Sequence, residues 1–405
     1  MSEELAEKLW GVLEQVTGFI YPNETELHWS ILIVVYPYLT GLVAGAFILA
    51  SLEKVFDIPE VRPTYRLSLL TALAFLLIAP LPLLLHLGRP ERAYEIFLTP
   101  QLRSAMAMFG FVYAWYLMAV LLLEIWFEYR RDLIVWARQE RAPMRWIHRL
   151  LALYSADVSP EAVAFDKKAI HVITIIGIPS AFLLHGYVGF IFGSVKANPW
   201  WSSVLMPIVF LMSAIVSGIA LVLFLYMVLT PLRGETIDMR CLDKVAGYLF
   251  YAVIVDFSLE ALDFIQRLYE SEESIKILAT LITGKLFISL FVIQVLLGMV
   301  IPLGIMVATR LLGVNEELRK LLYFTSAILI QVGIFSTRWN VVIGGQLFSK
   351  SFRGLTTYKM DIAGIEGLLT ALGLLILPFI VLIVLLKILP PWGKAESEAE
   401  AVTSR

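Results

Sequence analysis

The sequence predicts an all-α polytopic membrane protein, in which about nine transmembrane helices pack as two helical bundles. Hydrophobic residues make up 59% of the 405 positions, charged residues make up only 16%, and the mean hydropathy is +0.80. A soluble core needs much less apolar surface than this. Apolar runs of roughly 20 residues, the length that crosses the core of a bilayer, also recur along the chain.

Nine such runs are predicted. They lie near residues 29–52, 66–87, 104–127, 169–193, 201–230, 244–265, 277–308, 320–343 and 365–389. The seventh run is long enough for a tilted helix or a short re-entrant piece, so eight or ten spans remain open. We expect four parts along the chain. These are an outer segment with an interfacial helix (1–27), a first bundle (28–193), a second bundle with the final span (194–390) and a disordered tail (391–405).

The distribution of basic residues predicts the orientation. The segment 130–168, between the third and fourth runs, holds Arg130, Arg131, Arg138, Arg141, Arg145, Arg149, Lys167 and Lys168. Such a segment stays in the cytoplasm, so nine spans put the N-terminus outside and the C-terminus inside. Its tryptophans alternate with arginines, which predicts either an amphipathic helix on anionic lipid headgroups or a docking surface. His148 is expected to face solvent or headgroups.

Polar side chains collect at the predicted outer ends of four spans. The groups are His28, His86, His185 and the run Arg338-Trp339-Asn340. Histidine exchanges protons near neutral pH, and ionisable residues at membrane depth usually have a function. Four helices are therefore predicted to bring hydrogen-bonding groups to the same outer level of the membrane.

Two of these groups also have a structural interpretation. His28 can cap a helix beside the interfacial Trp29. His86 lies in the stretch 85–92 (Leu-His-Leu-Gly-Arg-Pro-Glu-Arg) with Arg89, where Pro90 stops the helix. The charged residues there can form a salt-bridged turn that holds the second and third spans in register. Both interpretations remain open at this point, and one loop can do both.

The sequence offers few ligands for a cofactor. A single cysteine, Cys241, cannot hold an iron–sulfur cluster, which needs about four thiolates. The chain also lacks a covalent haem motif and a Gly-rich phosphate loop. His171 and His185 share one span, but no histidine opposes His171 at matching depth. We expect no haem, no iron–sulfur cluster, no metal and no nucleic-acid partner for this protein.

Carboxylates deeper in the membrane suggest a proton route. Asp256 and Glu260 share one face of the sixth span, and Lys285 lies in the seventh run. An isolated carboxylate is costly there, so Asp256 or Glu260 is expected to pair with Lys285 or to take up protons. Glu124 and Glu53 would continue the route toward the cytoplasm. The alternative is a neutralised pair with a structural role.

Three separated motifs carry a family resemblance. They are Tyr-Pro-Asn-Glu (21–24) with His-Trp-Ser (28–30) and 38–46, the stretch 86–92, and Arg-Trp-Asn-Val-Val-Ile-Gly-Gly-Gln (338–346). Over roughly residues 20–390 the chain resembles the integral membrane subunits of polysulfide reductases and nitrite reductase quinol modules (NrfD/PsrC-like). The last motif is similar to a longer branch, which includes membrane subunits of hydrogenase-2 type enzymes and of a sulfite-reduction-associated redox complex.

This resemblance implies a quinone-binding anchor without haem in the cytoplasmic membrane of a prokaryote. The quinone would be of the menaquinone or ubiquinone type. Electrons would pass to or from a ferredoxin-like iron–sulfur subunit on the outer face, next to a catalytic subunit of the same complex. In the short branch of the family an Asn and a His at the start of the first span contact the quinone, and these positions map here to Asn23 and His28.

The resulting predicted site has two proton-exchanging histidines, His28 and His86. The expected quinone contacts are Asn23, His28, Trp29, His86, Arg89, Arg338 and Asn340. The partner is expected over residues 88–103 and 338–362, where the cations are Arg338, Lys350, Arg353 and Lys359.

A secondary transporter is the competing class. Its coupling site would be formed by Asp256, Glu260 and Lys285. Transporters commonly contain internal repeats, and no convincing repeat is visible between the two halves of the sequence. Polar groups also favour one face over the centre of the membrane.

Overall fold

The computed structural model describes residues 26–139, 144–270, 274–352 and 354–392. Within these residues, nine helices are long and apolar enough to cross a membrane, which confirms the nine predicted spans. In chain order α1 to α9 are Leu32–Lys54, Pro59–His86, Ala105–Arg138, Pro160–Gly193, Met206–Leu232, Met239–Tyr269, Ile288–Leu311, Glu316–Gln346 and Leu368–Ile388. The predicted interfacial helix and residues 393–405 of the predicted tail lie outside the described residues.

Local chemistry explains where several helices begin. Ser159 caps α4 by accepting a hydrogen bond from the backbone N–H of Ala162 at 3.2 Å, and Pro160 occupies the first turn. Asn315 caps α8 in the same way through Leu318 at 2.9 Å. Inside a bilayer the backbone must satisfy its own hydrogen bonds, so these apolar runs form helices.

The chain runs up and down, so two groups of connections lie at opposite ends of the bundle. At one end, Glu26 forms an ion pair with Lys359, and His86 pairs with Glu366. We call it the outer end, following the predicted orientation, which stays a prediction. The inner end carries the ion pairs around Arg66.

Helices α1 and α5 form the centre of the bundle. Their backbones meet at Gly45 and Gly218, where an added Cβ on Gly218 would lie 2.4 Å from the backbone of Gly45. Helix α1 also packs against α2 and α4, while α5 packs against α6 and α8. Helix α9 lies mainly against α2. Two four-helix groups, α1 to α4 and α5 to α8, therefore meet along α1 and α5. The residue limits of the two predicted domains stay a prediction.

The seventh apolar run is not one helix. A short helix, Ile275–Thr283, ends at Gly284, and α7 begins at Ile288. The segment Ile288–Val300 of α7 is π-helical, as is Tyr116–Leu121 in α3. Helices α7 and α8 come together where Gly298 faces Gly333, with an added Cβ on Gly298 only 2.4 Å from the neighbouring Cα. Since π-helical turns often accompany functional sites, both segments are of interest.

The basic segment 130–168 is more ordered than predicted. Helix α3 continues to Arg138 and α4 begins at Pro160, leaving only a short helix, Arg145–Leu151, between them. The prediction that His148 faces solvent or headgroups is wrong. Its side chain is buried, its Nε2 lies 3.0 Å from the carbonyl oxygen of Ile388, and its ring packs on Trp136. The indole covers the imidazole, so the short helix docks onto the end of α9.

Candidate functional site

A cavity of about 350 Å³ opens at the outer end, and we call it the outer pocket. Its lining includes His28, Trp29, Asn198, Trp201 and Lys350. The side chain of His28 is exposed, so it can exchange protons with water. The pocket combines flat aromatic walls with polar groups, as ligand sites for aromatic rings commonly do.

Two indoles build the wall of the outer pocket. The rings of Trp29 and Trp201 stack with their centroids 5.7 Å apart and their planes 22° apart. Trp201 donates its Nε1–H to the carbonyl oxygen of Val341 at 2.6 Å, which holds the ring against the end of α8. Gly345 allows this contact, because a Cβ there would lie 2.1 Å from the indole nitrogen.

Asn198 organises the loop between α4 and α5. Its side-chain amide donates to the carbonyl oxygen of Gly345 at 2.7 Å, and its Oδ1 accepts from the backbone N–H of Trp200 and of Trp201. Trp200 donates its Nε1–H to the carbonyl oxygen of Asn340 at 2.9 Å. One asparagine therefore fixes both tryptophans on the last turn of α8.

The predicted quinone residues fall into separate places. His28 and Trp29 line the outer pocket together, whereas Asn23 lies outside the described residues. His86 does not line this pocket, and its Nδ1 is 3.0 Å from Glu366 Oε2, so it joins the end of α2 to the start of α9. Arg89 is exposed and does not line the outer pocket. His86 thus pairs across to the start of α9, and not within a turn between the second and third spans.

Arg338 lies inside the bundle, with no exposed surface. Its guanidinium donates to Ser213 Oγ at 2.7 Å and to His185 Nε2 at 3.2 Å, and it lies 4.3 Å from the ring of Phe210. A guanidinium only donates, so Nε2 of His185 accepts and the imidazole is neutral with its proton on Nδ1. Asp256 interacts electrostatically with this guanidinium.

A chain of hydrogen bonds links α6, α7 and α8. Gln294 donates to Glu260 Oε2 at 2.7 Å, and Asn340 donates to Gln294 Oε1 at 2.7 Å. Ser289 donates to Asn340 Oδ1 at 2.6 Å. The second oxygen of Glu260, Oε1, is buried without a hydrogen-bond partner among the described residues. The predicted residues Glu260 and Asn340 thus belong to one network, although they come from different helices.

The predicted pairing of Lys285 with Asp256 or Glu260 is wrong. Lys285 lies before α7 at the outer end and donates its Nζ to the carbonyl oxygen of Thr356 at 2.6 Å. Partial burial lowers the pKa of Lys285 from its ordinary value. The positive charge that interacts electrostatically with the two carboxyl groups is Arg338, which itself bonds His185 and Ser213. The break at Gly284 removes Lys285 from the helical face on which the prediction had put it.

Glu124 lies in the first four-helix group, toward the inner end, and is fully buried. Its Oε1 accepts from Tyr65 at 3.1 Å and from Thr174 at 2.9 Å. Tyr65 also lines a cavity of about 210 Å³ at the inner end, together with Glu53. Tyr65 therefore bonds Glu124 and shares the inner cavity with Glu53.

The predicted cationic docking cluster is only partly on the surface. Arg338 is buried and cannot contact a partner, so its inclusion was wrong. Lys350 lines the outer pocket, Lys359 pairs with Glu26, and Arg353 lies outside the described residues. Asn198 and the pair Trp200-Trp201 were not predicted from the sequence. The sequence signal that could have identified them is their position between two predicted spans, at the same outer level as Trp29.

The described residues contain no group of three His, Cys, Asp or Glu side chains that could hold a metal ion. Residues 21–350 match the family model described as polysulphide reductase, NrfD. The chain is 32% identical over 323 residues to a subunit of the selenate reductase of Mesobacillus selenatarsenatis, and the match covers 78% of this chain and 73% of that protein.

Two further relatives are more distant. A polysulfide reductase component of Wolinella succinogenes is 23% identical over 352 residues, covering 84% of this chain and 99% of the relative. Protein NrfD of Escherichia coli is 25% identical over 215 residues, covering 52% of this chain and 62% of the relative. The residues that match the family model include α1 to α8 and most of the lining of the outer pocket.

Proposed function

Because the chain belongs to the NrfD family, we propose that it exchanges electrons between the membrane quinone pool and an iron–sulfur partner on the outer face. Members of this family are membrane subunits of reductase complexes that interact with quinones and assemble with iron–sulfur and catalytic subunits. The proposal includes a location in the cytoplasmic membrane of a prokaryote, with the N-terminus outside and the C-terminus inside.

We propose the outer pocket as the site of the quinone headgroup. The observation that carries this proposal is the stacked pair Trp29 and Trp201 beside the exposed imidazole of His28. The indoles supply a flat apolar wall for a ring. His28 and Lys350 supply polar groups at its edge, and Asn23 is proposed to add another. The residues therefore fit a group that combines an aromatic ring with two oxygens.

A quinone bound here would supply the transfer of two electrons and two protons. His28 is suited to hold or release one of these protons, because histidine is a common general acid and base and this side chain reaches water. Trp201 is held by Val341, and Trp29 packs on it, so the ring position is fixed before binding. Preformed walls reduce the entropic cost of ordering the site.

The loops around the outer pocket are proposed to receive the iron–sulfur subunit. Large apolar side chains are exposed there: Phe97, Leu98, Leu102, Ile362 and Ile365. They lie in or next to the two segments predicted for docking from the sequence. Exposed apolar side chains grouped on one face are typical of a protein interface. A partner bound here would bring its nearest cluster close to the outer pocket.

The buried carboxyl groups are proposed to carry protons. Glu260 and Asp256 lie near Arg338 in the second four-helix group, and Glu124 and Glu53 lie in the first. Ionisable residues inside a membrane usually belong to proton or ion routes. These groups support a route toward the inner end that is coupled to quinone turnover.

The test is equilibrium binding of a quinone analogue to the detergent-purified full chain, followed by quenching of tryptophan fluorescence. In His28→Gln the affinity should fall about tenfold, because a charge-assisted or proton-sharing hydrogen bond is lost. His171→Gln is the matched control, since this exposed histidine bonds the carbonyl oxygen of Lys54 at the inner end. Equal affinity in wild type and His28→Gln would remove His28 from the site.

The buried group of Asp256, Glu260 and Arg338 also suits a secondary transporter, which remains the second candidate. It lies in the second four-helix group, and Arg338 also bonds His185 of α4 in the first; coupling sites of transporters are found where two such repeats meet. Substrate-dependent ion flux by the isolated chain in liposomes would favour this function. Saturable quinone-analogue binding without such flux would favour the first.

A further inference from the structure

A second cavity, of about 240 Å³, lies between α6, α7 and α8, and we call it the lateral cavity. Its walls are mainly apolar and include Met206, Val209, Phe257, Phe264 and Leu290. A cavity of about 150 Å³ already admits benzene, so this one has room for a substituted ring. We infer that the lateral cavity is a second binding site, which takes a quinol or quinone ring from the lipid phase.

The cavity opens sideways, between two helices. Helix α6 contacts α7 mainly through the inner segment Ile301–Leu311, where Arg310 lies 4.1 Å from the ring of Phe250. Toward the outer end the two helices separate, and Phe291 of α7 stands partly exposed beside the opening. A prenyl tail could therefore remain among the lipids while the ring enters.

Glu260 lines the lateral cavity and has one unused acceptor. Glu260 Oε1 is buried and has no hydrogen-bond partner among the described residues, while its Oε2 is held by Gln294. The neighbouring carboxyl group, Asp263, is already bonded to Arg267 and Ser203 near the mouth. A buried acceptor without a partner is costly, so a ligand with a hydroxyl group would stabilise it.

This arrangement selects for the quinol class. A quinol hydroxyl can donate to Glu260 Oε1, and a protonated Glu260 can donate to a quinone carbonyl, so both redox forms fit. The amide groups of Gln294 and Asn340 each carry a second N–H beyond the bond that they donate. A phospholipid tail would fill the apolar walls but would leave the carboxyl oxygen without a partner.

The two sites are close but separate. Trp200 lines the lateral cavity, whereas its neighbour Trp201 lines the outer pocket. Both indoles are fixed to the last turn of α8 through the carbonyl oxygens of Asn340 and Val341. The tryptophan pair is therefore the partition between the two sites. This inference rests on the proposed interaction with quinones but not on the outer pocket being occupied.

The test is photolabelling of the full chain in lipid nanodiscs with an azido-quinone, followed by mass spectrometry of the labelled peptides. Label is expected both on α6 and α7 peptides and on peptides around residues 26–29 and 195–201. Ala261→Phe fills the lateral cavity and should reduce the α6 and α7 label about tenfold. Ser258→Phe adds the same ring on the exposed side of α6 and is the matched control.

Each outcome separates the two proposals. Label at the outer pocket alone overturns the second site and leaves the proposed function standing. Label in the lateral cavity alone supports the inference and refutes the outer pocket, and label at neither refutes both. If phospholipid prevents labelling of the lateral cavity as well as unlabelled quinone does, the cavity is a lipid groove only and the inference is overturned. If Ala261→Phe does not fold, Glu260→Gln should weaken labelling of α6 and α7 several-fold, and unchanged labelling would overturn the inference.

Discussion

Gly345→Ala should disable the outer pocket without unfolding the protein. The new Cβ would stand 2.1 Å from Trp201 Nε1 and 2.8 Å from Cε2, so the indole must withdraw by about 1.4 Å to reach an ordinary van der Waals separation of about 3.5 Å. This movement would break the hydrogen bond from Trp201 to Val341 and disturb the stack with Trp29.

The expected loss follows from those two contacts. A buried hydrogen bond contributes about 0.5–1.5 kcal/mol, and an aromatic pair adds about 0.5–1.5 kcal/mol. If binding depends on the indole wall, the affinity for a quinone analogue should fall roughly 10- to 100-fold. Titration of tryptophan fluorescence measures the affinity, and far-UV circular dichroism checks that the helices remain.

Gly88→Ala is the matched control for this substitution. It adds the same methyl group in an outer loop where a Cβ would meet nothing within 4 Å. Its affinity should equal that of the wild type. A folded Gly345→Ala protein that binds the analogue within about twofold of the wild type, less than 0.5 kcal/mol, would refute the role of the indole wall.

Two further substitutions test the packing and the proton route. Gly218→Ala should lower the free energy of unfolding by about 1–3 kcal/mol, because the new Cβ has no room against α1. Its control is Gly373→Ala on α9, which should not destabilise the protein because a Cβ there meets open space. Chemical unfolding in detergent measures both variants, and equal stability would contradict the close approach of α1 and α5. Asp256→Asn should leave quinone-analogue binding intact but slow proton-coupled turnover of the complex in liposomes by about 10²-fold, and unchanged turnover would remove Asp256 from the route.

The number of spans could be predicted from the sequence because each span is a long apolar run. For the seventh run the sequence left a tilted helix and a short re-entrant piece both open, and it did not show where the run divides, because Ile275–Thr283 is apolar like the helix that follows it. Only Gly284 marks the break, and a single glycine in a membrane helix is common. The wrong partner assigned to Lys285 follows from that missed break.

The site was predictable at the level of residue types and less so at the level of contacts. His28 and Trp29 adjoin in the chain, so their joint position in the outer pocket follows from local sequence. Arg338 and Asn340 are two residues apart, yet one faces His185 and the other faces Gln294. Which neighbour each side chain meets depends on how α4, α5 and α7 pack around α8, and the sequence pattern does not contain that information.

The measurement that tests the central claim most directly is electron exchange between added quinol or quinone and the clusters of the iron–sulfur partner, followed in the intact complex by rapid-freeze electron paramagnetic resonance. We predict that His28→Gln slows this exchange by about 10²-fold or more, as loss of a proton-exchanging group does, while His171→Gln keeps the wild-type rate. An unchanged rate in His28→Gln would contradict the claim that quinones react at the outer pocket.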